Sequence, residues 1–216
     1  MSIRLRIVVS FLLLGVTGFM GCQKAYYSVW EKLGKEKRHL LKDHVEDART
    51  EQEKASEQFK DVLSRIKEIY GFEGGDLEIF YKKLQSDYEG CENRANAVEK
   101  RIDRVRETAL DLFSEWEAEI KEMSNEKFKA DSSSALKETK QRYARLYESM
   151  TKAKSKMAPV LTQLKDYVLY LKHNLNARAI GALKKEMADI EFEVKQLVKD
   201  INTSIKEADD FLKTLE

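Results

Sequence analysis

The feature that most constrains this chain is a long alternation of four- and three-residue steps between apolar residues. From residue 77 to residue 116 the pattern holds at every step. Residues 41–69, 136–171 and 180–215 repeat it, and Gln52 is a polar residue at a position where the pattern requires an apolar one. A mean spacing of 3.5 residues places the apolar side chains on one side of an α-helix that packs against other helices. The sequence therefore predicts an all-α, coiled-coil-like fold.

The composition agrees with long helices and argues against a nucleic-acid partner. Charged residues make up 36% of the 216 residues, and there are only nine glycines and one proline. The formal net charge is +1; without Arg4 and Arg6, which lie in a segment expected to be removed, 37 basic residues face 38 acidic ones. Nucleic-acid binding draws on an excess of basic residues. We expect no nucleic-acid partner.

Turn signals divide the mature chain into helices. Residues 71–76 contain three glycines and end on Asp76, a good N-cap. Residues 124–134 are polar and hold three successive serines that could cap the next helix, and residues 173–176 form a weaker break. We predict an elongated antiparallel bundle of four long helices, or of three if the chain stays helical through residues 173–176. The expected helices are about 24–70, 76–123, 132–173 and 177–215.

The first 21 residues have the organisation of an export signal. Two arginines precede an apolar run of about 14 residues, which is short of the roughly 20 needed to cross a bilayer as a helix. Gly21 and Cys22 follow, and this junction resembles the lipobox of bacterial lipoproteins, in which the cysteine is acylated after cleavage. We expect residues 1–21 to be a signal peptide, Cys22 to be the lipidation site, and residues 22–216 to form one helical domain. The alternatives are an uncleaved anchor and a secreted protein.

The resemblance to lipoproteins also bears on location. Gln23 follows the cysteine, and enterobacterial sorting rules favour transfer to the outer membrane when this residue is not aspartate. We expect a lipid-anchored protein of the cell envelope that faces the periplasm, with the outer membrane favoured and the inner membrane as the alternative.

No motif in the chain indicates catalysis. Phosphate-binding loops, dinucleotide motifs, nucleophile elbows and paired Cys-x-x-Cys motifs do not occur. Glu36 and His39 have the Glu-x-x-His spacing of di-iron bundles, but no second copy accompanies them. We predict that the chain is not an enzyme and has no metal site and no cofactor.

One candidate binding surface is the end of the bundle where the first and third connections would meet. Phe72 on one connection, with His173, Asn174 and Asn176 on the other, would form a small polar and aromatic surface. The alternative is that Phe72 closes the core and the asparagines only cap helices.

A second candidate surface follows the lipidation site. Aromatic residues here could lie among lipid headgroups, and basic residues could contact anionic lipid phosphates. The alternatives are that the aromatic residues close the core and that the basic residues form an ordinary solvated face. The residues concerned are Tyr26, Tyr27, Trp30, Lys32, Lys35, Lys37 and Arg38.

The two cysteines are expected to stay apart. Cys91 occupies an apolar position of the repeat and, in an antiparallel hairpin, would lie beside about residue 55 of the first helix. Cys22 would then be roughly 50 Å away along the helix axis. We therefore predict a buried, unpaired Cys91.

Several segments of the mature chain resemble one known family. They are residues 22–27, 74–77, 116–117, 157–161 and 171–177. Together they resemble an uncharacterised proteobacterial family of lipoprotein-like helical proteins, domain-of-unknown-function family 2959. The resemblance implies a Gram-negative envelope protein and transfers no catalytic residue.

Two functional hypotheses follow. In the first, the bundle is a periplasmic scaffold, spacer or adaptor that is held to a membrane by its lipid anchor and binds a protein partner whose identity the sequence does not specify. In the second, the chain lies along the bilayer through its basic face and senses or reshapes it. Heptad positions can pack within one chain or between chains, so the sequence is compatible with a monomer and with a homo-oligomer.

Overall fold

The computed structural model describes residues 37–69, 71 and 76–215 and contains four long helices in this part of the chain. They are α1 (Lys37–Lys67), α2 (Leu77–Glu122), α3 (Glu126–His173) and α4 (Ala177–Leu212). The chain divides into two compact units, Met1–Leu40 and Leu41–Glu216. The bundle described below is the second unit. Helices α2 and α3 are each about 70 Å long at 1.5 Å per residue.

Contacts between side chains show that neighbouring helices run antiparallel. Along α1 and α2, Arg65 meets Asp87 at 3.0 Å and Asp47 meets Arg101 at 2.6 Å, so residue numbers rise on one helix as they fall on the other. The same holds for α2 with α3, for α3 with α4, and for α4 with α1. Contacts that define these three interfaces are Lys154 with Glu99, Lys156 with Asp200, Tyr167 with Glu186, Arg49 with Asp209, and Lys67 with Glu191. The predicted four-helix antiparallel bundle is confirmed.

The apolar repeat forms the core. Its members Leu41, Leu84, Leu146 and Met187, one from each helix, have no more than trace exposure. The polar exception, Gln52, is also fully buried. Aromatic residues outside the predicted repeat, among them Phe113, join the core through an edge-to-face contact with Tyr143 at 5.4 Å. The interior of the bundle is therefore built largely by residues that the spacing identified.

The third helix begins earlier than predicted. We expected it to start at about residue 132 with one of the three serines as its cap, but it starts at Glu126. Asn125 is the N-cap, and its side-chain oxygen accepts hydrogen bonds from the backbone N–H groups of Lys127 and Phe128. Ser133 lies inside the helix, where its hydroxyl donates to the carbonyl of Lys129. The serine prediction was wrong because a serine can satisfy its hydroxyl within a helix as well as at a cap.

The break between α3 and α4 is real. Helix α3 continues through Pro159, whose ring is exposed, and ends at His173. Asn174 ends α3 and Asn176 caps α4. Four helices, rather than three, are therefore present in the described part of the chain.

Candidate functional site

The antiparallel order places the α1–α2 and α3–α4 connections at one end of the bundle. The α2–α3 turn lies at the opposite end, and α1 runs away from that end. Of the residues that the sequence placed at the first end, Phe72 lies outside the described residues. His173, Asn174 and Asn176 lie together in or beside the α3–α4 turn.

The two asparagines of this turn have structural partners. The Asn174 side-chain nitrogen donates to the carbonyl of Tyr170 at 2.9 Å. The side-chain oxygen of Asn176 accepts from the backbone N–H of Ala179 at 3.1 Å. Their polar groups are thus used in ending α3 and starting α4, while the His173 side chain is exposed. A ligand could use the side chain of His173 without disturbing the turn.

Exposed apolar side chains mark the same end. Seven large hydrophobic residues are exposed among the described residues, and four of them lie there. We call these four the tip surface: Ile79 at the start of α2, Leu169 and Tyr170 at the end of α3, and Leu175 in the turn. The other three are spread over the bundle: Leu110, Phe128 and Phe192. Because exposed apolar groups often mark interaction sites, their concentration at one end identifies a candidate docking surface.

A sequence signal for the tip surface existed but was missed. Ile79, Leu169 and Tyr170 fall outside the steps of four and three that define the core, so a regular bundle has no place for them inside. Apolar residues that are out of phase with a clean repeat therefore indicate exposed apolar surface.

The opposite end carries a groove between α2 and α3. Its volume is about 560 Å³. Ile120, Leu136 and Ala144 provide apolar lining, and Lys140 crosses its edge to pair with Glu117. The groove is open and mainly apolar, and it holds no arrangement of acid, base and nucleophile.

The residues predicted to lie near a membrane are mostly outside the described part. Cys22, Tyr26, Tyr27, Trp30, Lys32 and Lys35 belong to this group. Of the remaining two, Lys37 is partly buried and Arg38 is exposed, both in the first turn of α1. None of the described helices is long and apolar enough to cross a membrane.

Two pairs of interior polar groups meet across helix interfaces. The Gln52 amide donates to the Ser204 hydroxyl at 2.9 Å, and that hydroxyl donates back to the Gln52 carbonyl oxygen at 3.0 Å. His44 Nδ1 lies 2.8 Å from Thr108 Oγ1. Thr108 is almost fully buried and His44 is partly buried, so this histidine–threonine pair forms a contact between α1 and α2.

Burial sets the charge state of two of these interior groups. Desolvation, with Arg104 as the next contributor, lowers the pKa of His44 below its usual value, so that the ring is neutral at pH 7. Desolvation also raises the pKa of Cys91 to about 12. The Cys91 sulfur lies 3.6 Å from the Gln58 carbonyl, close to the neighbour expected from the sequence. A thiol with so high a pKa is a poor nucleophile.

Two carboxylates at the edge of the core are held by basic side chains. Burial is the largest single effect on Glu51 and disfavours its charged form, but the hydrogen bonds and charges of Arg94 and Lys54 together outweigh burial and lower the pKa. Asp200 is opposed by burial in the same way, and Lys156 and Lys152, at 2.6 and 3.0 Å, outweigh it and lower its pKa. These ionised groups tie helices together.

No group of three metal-ligating side chains occurs within the residues that the structure describes. His39 is exposed on α1, and its predicted companion Glu36 lies outside the described part.

Comparison with known proteins places the chain in one family. No curated protein matches it significantly in sequence. A family model described as "Protein of unknown function (DUF2959)" matches residues 26–215, and this description indicates no enzyme family. The match covers all four helices and confirms the family resemblance seen in the sequence, so this chain belongs to the DUF2959 family.

Proposed function

We propose that this chain is a non-enzymatic adaptor of the cell envelope: a lipoprotein whose helical bundle presents the tip surface to a protein partner. The observation that carries the proposal is the uneven distribution of exposed apolar side chains. Four of the seven described ones lie at the end that α1 runs toward.

The polarity of α1 supports this arrangement. An acylated Cys22 would be joined to the bundle through the residues that precede α1. Helix α1 then leads from its first turn toward the tip surface, and the two neighbouring helices α2 and α4 run back. An adaptor needs its attachment and its binding surface at separate places, and an anchor joined through the start of α1 would provide that separation.

The buried chemistry also favours a binding role over a catalytic one. Several described polar groups of the interior pair with each other across helices, as Gln52 does with Ser204, and the basic groups at the core edge neutralise Glu51 and Asp200. Such contacts stabilise one helix arrangement, and a partner would meet the surface rather than the interior. The outer membrane is the favoured location, because Gln23 follows the lipidation site.

Site-specific photocrosslinking in cells tests the proposal. A photoreactive p-benzoylphenylalanine replaces Tyr170, which is 37% exposed, or Leu175 in the turn. The matched controls are Phe128, which is 63% exposed at the opposite end, and Leu110, which is 52% exposed on α2. We expect one defined protein to be captured from the tip positions and not from the controls. Equal capture from all four positions, or none from the tip, would contradict the proposal.

Attachment is tested separately. We expect a radiolabelled fatty acid to be incorporated into the wild-type chain and not into Cys22→Ser. Labelling that survives this substitution would exclude Cys22 as the lipidation site.

The alternative function, in which the chain lies along a bilayer through a basic face, depends on residues 26–38. Flotation with vesicles, using a chain made without the lipid anchor, measures membrane binding by these residues directly. Binding that is lost when Lys32, Lys35, Lys37 and Arg38 are replaced by glutamine would favour this alternative.

A further inference from the structure

The segment that forms the α3–α4 end of the bundle has an unusual charge composition. Residues 167–185 include Lys172, Arg178, Lys184 and Lys185 and contain no aspartate or glutamate. The whole chain is almost balanced, with 39 basic and 38 acidic residues, so an acid-free run of this length stands out. We call residues 167–185 the basic hairpin.

The positive charges of the basic hairpin are available to a partner. Lys172, Arg178 and Lys185 are exposed and Lys184 is partly buried. None of the four makes an ion pair with another described residue, whereas many lysines elsewhere do, as Lys152 and Lys156 do with Asp200.

Helix stability does not account for these charges. Lys172 lies in the last turn of α3, where a positive charge is favourable. Arg178, however, lies in the first turn of α4, where the helix dipole disfavours it, and no acidic residue occurs in that turn. The local structure thus disfavours Arg178, and no described acidic residue pairs with it. Its presence indicates a role other than helix stability.

Apolar and basic groups are combined in this one hairpin. Leu169, Tyr170 and Leu175, three of the four members of the tip surface, belong to it. Interfaces combine apolar and aromatic anchors with complementary charge at the rim, where it steers association. The hairpin thus offers anchors and a positive rim together.

We infer that the basic hairpin docks an acidic segment of a protein partner, one that carries apolar side chains between its carboxylates. This inference rests on the proposed function, because it specifies the partner of the tip surface.

The neighbouring connection argues for a protein segment rather than for an anionic membrane. On the α1–α2 side of the same end, the exposed carboxylates are balanced by basic residues: Glu78 pairs with Lys82 at 2.7 Å, and Glu68 pairs with Arg65 at 2.8 Å. The unbalanced positive charge of the described residues at this end is therefore confined to the α3–α4 hairpin. A protein segment is narrow enough to bind this hairpin alone, whereas a bilayer surface would extend over the whole end.

Fluorescence anisotropy with the full mature chain tests the inference. The probe is a labelled 20-residue peptide in which short runs of glutamate alternate with short runs of leucine. The two comparison peptides carry glutamine or lysine in place of every glutamate. We expect binding of the acidic peptide only, with an affinity that falls as salt increases. The double substitution Lys172→Glu, Arg178→Glu should weaken binding by about tenfold or more, because it reverses two charges of the rim.

The matched control is Lys100→Glu, Lys199→Glu, which changes the net charge by the same amount. Both residues are exposed on helices away from this end and make no ion pair with other described residues. We expect binding within about twofold of wild type, since the effect is local. Circular dichroism confirms that both variants are folded.

Several results would overturn the inference. They are absence of binding to the acidic peptide, equal binding of the glutamine peptide, and equal loss in the control variant. Sedimentation with phosphatidylglycerol vesicles that depends on Lys172 and Arg178, without peptide binding, would assign the hairpin to a membrane instead. The crosslinking experiment distinguishes failure of this inference from failure of the proposed function. A partner captured at Tyr170 through a neutral or basic segment would contradict only the inference that the bound segment is acidic. Absence of any captured partner would contradict the proposed adaptor function.

Discussion

The part of the bundle next to the tip surface and the rest of the bundle bury different chemistry. In the tip-side part, from Phe59 onward in α1 and up to Leu197 in α4, the described core is apolar: Ile66, Leu84 and Leu164 are also fully buried there. From about the middle of the bundle to the opposite end, which we call the polar part, polar residues enter the core. They are Glu51, Gln52, Ser56, Thr108, Asp200 and Ser204.

The difference indicates a division of roles. Apolar burial is non-directional and stabilises many helix registers almost equally. A buried hydrogen-bonded pair is satisfied in one register only, since a slip separates its partners and leaves them without hydrogen bonds. We therefore expect the tip-side part to contribute to the free energy of folding through apolar burial, and the polar part also to select the alignment of α1 with α4.

The largest effect is expected in the tip-side part. Phe59→Ala removes a fully buried ring and should lower the free energy of unfolding by about 3–5 kcal/mol. Urea denaturation followed by circular dichroism measures this loss. The control Leu110→Ala, at an exposed position of α2, should change stability by about 0.5 kcal/mol or less. A loss below about 1 kcal/mol for Phe59→Ala would mean that this part of the bundle is not tightly packed.

The pair of Gln52 and Ser204 should show a smaller, coupled effect. Gln52→Leu leaves the Ser204 hydroxyl buried without its partner, Ser204→Ala leaves the Gln52 amide without its partner, and each should cost about 1–3 kcal/mol. The double change Gln52→Leu, Ser204→Ala replaces both polar groups by apolar ones and should be close to neutral or stabilising. Urea denaturation of both single variants and the double variant gives the coupling energy. Additive losses would show that the two residues act independently.

Ser56 should give a change of opposite sign. Its hydroxyl is buried, and no hydrogen-bond partner for it lies within the described residues. Ser56→Ala removes this uncompensated group, and we expect a gain of about 1 kcal/mol in the free energy of unfolding. Thermal denaturation monitors the gain, and Ser64→Ala, at an exposed position of the same helix, is the control. A loss of stability would show that the Ser56 hydroxyl makes a useful contact after all.

The smallest effect at neutral pH is expected at His44. Its pKa is lowered in the folded protein by burial and by Arg104, so the unfolded chain binds a proton more readily. Stability should therefore fall as the pH drops below the ordinary histidine value of 6.5, and fall further until the folded-state pKa is passed. Asp43 and Asp47 oppose this shift, while Arg101 adds to it.

His44→Gln tests this prediction, because glutamine can still contact Thr108 but does not titrate. Unfolding free energies of both proteins between pH 7.5 and pH 5 provide the comparison. We expect a shallower decline for the variant. Parallel curves would assign the acid sensitivity to other groups.

The sequence predicted the fold more fully than it predicted the site. Spacing alone locates a residue such as Leu84 in the core, because the period of an α-helix is a local property. The partner of Gln52 could not be found in this way, since Ser204 lies outside the repeat and on a helix 152 positions away. The start of α3 was misplaced because Asn125 and the three serines are all acceptable caps, and only the packing of α3 against α2 decides among them.

The tip surface shows a different kind of gap. The sequence directed attention to the connection residues Asn174 and Asn176, which the structure uses as caps. The exposed apolar residues and the acid-free run of residues 167–185 were both readable from the sequence. Their meaning depended on knowing that they meet at one end, which is a property of the topology.

The pairing of α1 with α4 has a consequence for the order in which the chain folds. Turns of a few residues join α2 to α3 and α3 to α4, so those hairpins close over short loops at little entropic cost. The contacts of α1 with α4, such as Arg49 with Asp209, join residues 160 positions apart and must wait until nearly all of the chain is present. A chain that is cut short before α4 would leave one side of α1 uncovered and open to proteases. Only a chain that contains α4 can form this last interface, so complete chains should resist proteolysis better than truncated ones.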